Sequence, residues 1–156
     1  MEFETSVRNQ FTFSTNDKKF GKLLFLSAKN EINIAAVIFV RDKHVINIKV
    51  VVGSPNPYDY EIPQKTELFK NFLKKLKISY EIDPVIQILN IESETGTPGN
   101  FGVILNLLLQ NKIKVLASYY GEPKKGEIVS VFYQVRKNKI KAAKNIIESV
   151  RIENMC

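Results

Sequence analysis

The sequence predicts an α+β protein made of two consecutive β-α-β-β-α-β units. Three observations predict it. Residues 20–36, FGKLLFLSAKNEINIAA, align without a gap on residues 101–117, FGVILNLLLQNKIKVLA, an offset of 81. Seven of these 17 positions are identical: Phe20/Phe101, Gly21/Gly102, Leu24/Leu105, Leu26/Leu107, Asn30/Asn111, Ile32/Ile113 and Ala36/Ala117. Such self-similarity is the signature of a duplicated structural unit. Each copy then continues with two β-branched runs joined by a turn, which reads as a hairpin, and with an amphipathic helix.

The first unit opens with a half-buried strand from Phe3 to Phe13, with Phe3, Thr5, Val7, Phe11 and Phe13 on one face. Asn16 is an N-cap and Asp17 an acidic first turn for a helix running to about Asn30. Ile32 to Val40 is a strand, and the turn Arg41-Asp42-Lys43-His44 reverses it into Val45 to Val52. A Gly-, Pro- and Asn-rich loop follows from Gly53 to Pro63. The spacing predicts a helix over Thr66 to Lys77, with Leu68, Phe69, Phe72, Leu73 and Leu76 on one face. Ile78, Tyr80 and Ile82 alternate as a closing strand, and Pro84 ends the unit.

The second unit repeats the order. Val85 to Glu92 is its opening strand, Thr97 an N-cap, and Pro98 occupies the first helical position, where its missing N–H costs nothing. The helix reaches Gln110, with Phe101, Ile104, Leu105 and Leu108 toward the sheet, while Val103 and Leu107 require another cover. Ile113 to Tyr120 and Ile128 to Val135 form the hairpin, Lys137 to Ile147 the second helix, and Val150 with Ile152 a short last strand. The order is the ferredoxin-like split βαβ. It predicts two antiparallel sheets, each with its helices on one face, in domains 1–84 and 85–156.

Composition narrows the chemistry. The single cysteine, Cys156, and single histidine, His44, exclude an intrachain disulfide and a Cys/His zinc site within one chain. His44 lies in a polar turn, so a Ser-His-Asp triad is not expected; no catalytic residue, metal or cofactor is assigned. No apolar run approaches a membrane span, and Met1-Glu2-Phe3-Glu4 does not read as a signal peptide, so the chain reads as cytoplasmic. The net charge is +7, but 19 of the 23 bases are lysine, and arginine is the better reader of phosphates and bases. The cluster Arg136, Lys137, Lys139, Lys141 and Lys144 reads as a solvated helix face. The third strands lack the aromatic platform of RNA-recognition motifs, because Phe132 and Tyr133 are adjacent and point to opposite faces. Nucleic acid is thus not the expected partner. Gly96, Gly99 and Gly102 precede and enter a helix, where free N–H groups suit an anion, but the spacing is not that of a dinucleotide fold.

Pro98-Gly99, the leucine-rich helix from Phe101, and Asn111-Lys112-Ile113-Lys114-Val115 resemble the ACT domain, a family of small-molecule regulatory modules. The first copy is similar through Phe20 to Leu26 and Asn30-Glu31-Ile32-Asn33-Ile34, but has Asp17-Lys18 in place of Pro-Gly. The resemblance implies binding of an amino acid or similar carboxylate, regulation rather than catalysis, and homo-oligomers joined through strands or helices. It implies ligand-binding positions at the turn before the first helix and the start of the second strand. These are Asn16, Asp17, Lys18, Lys19 and Asn33 in the first copy, and Thr97, Pro98, Gly99, Asn100 and Lys114 in the second. Two other classes stay open: a protein-interaction scaffold without a ligand, and a ferredoxin-like nucleic-acid-binding protein.

Overall fold

The structure, a computed structural model, describes residues 4–89, 100–120 and 130–149. The element order is β1 (Glu4–Thr15), α1 (Asp17–Lys29), β2 (Ile34–Asp42), β3 (Val45–Val52), α2 (Ile62–Lys75), β4 (Tyr80–Leu89), α3 (Asn100–Gln110), β5 (Val115–Tyr120), β6 (Ser130–Val135) and, after one 3₁₀ turn at Lys137–Lys139, α4 (Ile140–Ser149). The expected stretch Thr97 to Gly99 and the expected last strand at Val150 and Ile152 lie outside the described residues. Among the described residues, no helix is long and apolar enough to cross a membrane.

The chain forms two compact units, one of Asn9–Asp83, the other of the chain up to Arg8 together with the chain from Pro84. The six strands form one sheet, not the two separate sheets expected, and β1 and β4 each contain residues of both units. The ends expected as separate closing and opening strands are one continuous strand, β4, which runs through Pro84. The reason lies in the alternation: Tyr80, Ile82, Ile86 and Ile88 keep a single phase across the proline, so no break in the pleat is needed. Proline needs only a place where the ladder asks for no N–H. In the same way β1 continues from residues of one unit into the other.

In the unit of Asn9–Asp83 the strand order is β2-β3-β1-β4. β1 pairs antiparallel with β3, Phe11 opposite Val50 and Phe13 opposite Ile48, and β2 pairs antiparallel with β3. Phe11, Phe13, Ile46, Ile48, Val50 and Val52 share one face and meet Leu23 of α1 and Phe69 and Leu73 of α2 in a single core. The Phe11 and Phe69 rings meet edge-on at 5.1 Å. α2 starts four residues before the expected Thr66, because Pro63 is accommodated in its first turn instead of ending the loop.

The other unit is ordered β1-β4-β6-β5. β4 and β5 both pair antiparallel with β6. Ile86, Ile88, Tyr133 and Val135 pack on Ile104 and Leu108 of α3 and on Ala143 and Ile147 of α4. Leu105 joins them, as its helical spacing predicts, and Val103 and Leu107 are half-buried. Phe132 takes the opposite face from Tyr133, where it stacks on Tyr119 at 5.4 Å. On that face Gln87, fully buried, accepts from Arg8 Nη1 and donates to Ser130 Oγ, both at 2.9 Å. Thr5 Oγ1 also donates to Glu148 within this unit.

Local details recur at the offset of 81. β2 and β5 each carry a register shift, between Ile34 and Ala36 and between Val115 and Ala117. Both helices before them end on an asparagine followed by a residue of positive φ, Glu31 at 54° and Lys112 at 58°.

Candidate functional site

β1 ends at Thr15, and α1 begins two residues later because Asn16 caps it. Asn16 Oδ1 accepts from Lys19 N at 2.9 Å, one of the amides that a helix start leaves without an internal partner. Asp17, in the first turn, is gripped by the β2–β3 hairpin: Arg41 Nη2 donates to Oδ1 at 2.7 Å and Nη1 to Oδ2 at 3.0 Å. The Arg41 hydrogen bonds hold the Asp17 carboxyl below its ordinary range. The Arg41 guanidinium also lies 5.6 Å from the Phe39 ring centroid, and Phe39 leans on Phe20 of α1 at 5.8 Å. The hairpin turn is thus fixed beside the helix start.

This arrangement leaves a cleft of about 380 Å³, lined by Ser14, Thr15, Asn16, Lys19, His44, Val45, Lys77, Ile78 and Ser79. Three pieces of chain build it: the end of β1, the hairpin turn, and the approach to β4. Lys77 stands in the left-handed region, φ 57°, in the turn that stops α2, and its carbonyl accepts from Lys19 Nζ at 3.4 Å. Thr15 Oγ1 is buried with no hydrogen-bond partner among the described residues. No carboxylate is among the described lining residues. The cleft is therefore lined by two lysines, hydroxyl residues and the N-cap of α1, a set of positive and polar groups suited to an anion.

Of the expected first-copy residues, Asn16 and Lys19 line this cleft. Asp17 is engaged by Arg41, and Lys18 is exposed next to it. Asn33 lies at the other end of α1, a helix of 13 residues and therefore ~20 Å long. Its carbonyl accepts from Gly53 N at 2.7 Å, and it lines a separate recess of about 20 Å³ with Glu31, Ser54, Asp59, Glu61 and Lys65. In a β-α-β connection the second strand begins where the helix ends, so the start of β2 and the start of α1 are apart within one unit. In the second copy Lys114 is exposed just before β5, Asn100 is the first residue of α3, and Thr97, Pro98 and Gly99 lie outside the described residues.

His44, Lys77 and Ser79 are not among the expected binding residues. Lys77 had a legible signal: Leu76-Lys77-Ile78 repeats the helix-ending pattern of Asn30-Glu31-Ile32. Among the described residues, no group of three or more His, Cys, Asp or Glu side chains is placed to hold a metal ion.

No protein-family model matches the chain, and no curated protein matches it either. Its fold is nonetheless shared with solved structures. Protein BT0572 from Bacteroides thetaiotaomicron is similar over 91% of this chain and 87% of its own, with a TM-score of 0.67 and 14% identity. The ligand-free regulatory subunit of aspartate kinase from Thermus thermophilus is similar over 94% of this chain and 95% of its own, with a TM-score of 0.59 and 11% identity. A structure of aspartokinase alpha and beta subunits is similar over 94% of both chains, with a TM-score of 0.53 and 13% identity. The fold is of the ACT type. At these identities the likeness is one of fold. In this ACT-type chain the β1–α1 turn, the hairpin turn and the approach to β4 meet at one end of the unit, and the cleft lies there.

Proposed function

We propose that this chain is a regulatory protein that binds a small carboxylate, an amino acid or a molecule like one, at the cleft beside the start of α1, and that it catalyses no reaction. The observation that carries this reading is the lining: Lys19 and Lys77 flank a capped helix N-terminus, and no carboxylate opposes them among the described residues. The cleft volume lies in the range of small-molecule sites. The ACT-type fold supports the regulatory part, since two of the similar structures are described as regulatory or paired subunits of an amino-acid kinase. The duplication expected at 1–84 and 85–156 provides a second position for the same role around Thr97, Pro98, Gly99, Asn100 and Lys114.

The reading includes a homo-oligomer. β2 is the outermost strand of its unit and exposes Val37, Phe39 and Val40, with Leu24 and Phe25 exposed on α1. An uncovered apolar edge of this kind favours a partner strand. Nucleic-acid binding is less well supported, because Phe132 is fully buried against Tyr119 rather than displayed for stacking.

The test is a melting experiment on the full chain with a panel of amino acids and related carboxylates. Ligand at one hundred times its dissociation constant stabilises the fold by about 2.7 kcal/mol. At the same ligand concentration the stabilisation is expected to fall by about half in Lys19→Gln and to survive in full in Lys141→Gln on α4. A panel without any stabilising member contradicts the proposal.

A further inference from the structure

Resting on the reading of this cleft as a ligand site, we infer that its ligand is a compact dianion without an ammonium group, of the chemistry shared by a short dicarboxylate and a phosphate monoester. The argument is one of charge balance. Two lysine ammoniums, Lys19 and Lys77, line the cleft, and His44 adds an imidazole that is neutral or cationic and never negative. Two positive side chains beside one open cleft attract a dianion more strongly than a net-neutral zwitterion.

An amino acid brings an ammonium that needs acceptors. None of the described side chains lining the cleft is a carboxylate. The acid nearest in sequence, Asp17, already receives both arms of Arg41, at 2.7 and 3.0 Å. The Asn16 side-chain oxygen is committed to Lys19 N, and the Lys77 carbonyl to Lys19 Nζ. An ammonium placed here would face like charges, with no carboxylate among the described lining residues to offset them. The donors suit an oxygen-rich anion: the Lys19 and Lys77 side chains and the Thr15 hydroxyl, which is buried and has no partner among the described residues.

The experiment is calorimetric titration of the full chain, at one ionic strength, with succinate, inorganic phosphate, propanoate and L-alanine. The expected result is binding of succinate or phosphate at least about tenfold tighter than of propanoate or L-alanine, a tenfold ratio being 1.4 kcal/mol. Succinate ahead of phosphate identifies a dicarboxylate site, and the reverse order a phosphate-ester site. Lys19→Gln and Lys77→Gln are each expected to weaken the dianion about tenfold, and Lys141→Gln on α4 to leave it unchanged. If L-alanine binds as tightly as the dianions and the binding depends on Lys19, the dianion inference is overturned while the ligand site stands. If none of the four binds, or if the α4 variant weakens binding as much as Lys19→Gln, both fall, and the cleft is only a basic surface.

Discussion

Asn30 and Asn111, 81 positions apart, end their helices with the same hydrogen bonds. Each side-chain Nδ2 donates to the carbonyl four residues back, Leu26 or Leu107, at 2.8 Å, and each backbone N–H reaches the same carbonyl at 3.1 Å. The next residue turns left-handed, and the isoleucine after it donates to a carbonyl of the last helical turn at 2.9 Å, from Ile32 to Ser27 and from Ile113 to Leu108. This identity in the repeat is thus explained by helix capping, with no ligand required.

Asn30→Ala is expected to destabilise its unit by about 1 kcal/mol, the worth of a side-chain hydrogen bond that satisfies a helix-end carbonyl. Asn111→Ala, at a more exposed position, is expected to cost less. Urea denaturation of both variants checks this; stability unchanged by Asn30→Ala would contradict the capping role.

Glu31 and Lys112 hold φ of 54° and 58°, where an L side chain is strained and glycine is not. Glu31→Gly and Lys112→Gly are each expected to raise stability by less than about 1 kcal/mol, after the extra freedom of glycine in the unfolded chain is subtracted. A loss in both variants, measured by the same denaturation, would show the left-handed caps to be wrongly assigned.

The Asp17–Arg41 pair makes stability fall with acid. Its hydrogen bonds lower the Asp17 pKa from 3.8 in the folded state, so the contribution is present above that value and is lost as pH falls below it. The pair is exposed, so the effect is small and screened by salt. Melting curves between pH 6 and pH 3 are expected to show a shallower acid decline in Asp17→Asn than in the unmodified chain. Parallel declines would mean the pair contributes nothing.

Burial raises the phenol pKa of both Tyr119 and Tyr133 above the ordinary 10.0. A raised folded value contributes stability below pH 10 that is lost as pH rises, because the unfolded chain ionises first. Alkaline unfolding followed by tyrosinate absorbance is expected to set in above pH 10, and Tyr133→Phe to lessen the pH dependence. An identical pH dependence in the variant would contradict the burial argument.

Much of this was legible in the sequence wherever one residue type had one physical use. Asn16 reads as an N-cap and is one; the turn Arg41 to His44 reverses a hairpin; Phe69, Leu73, Ile104 and Leu108 fall on inward faces by helical spacing. The strands shared between units were hidden because Pro84 looks like a stop, although the alternation around it never changes phase. The site was half legible. Its helix start was read from Asn16, but Lys77 and His44 come from turns 61 and 28 residues further along, which only the fold gathers. Asn33 was grouped with Asn16 by family likeness, whereas the length of α1 separates them within a unit.

The most direct measurement is backbone amide chemical-shift mapping of the full chain during titration with a carboxylate that raises its melting temperature. The account predicts saturable shifts at residues 14–19, at 43–45 and at 77–79, with about tenfold more ligand needed to saturate them in Lys19→Gln. Shifts confined instead to Asn33, residues 53–62 and Lys65, or saturable binding with no shift at the α1 start, would contradict it.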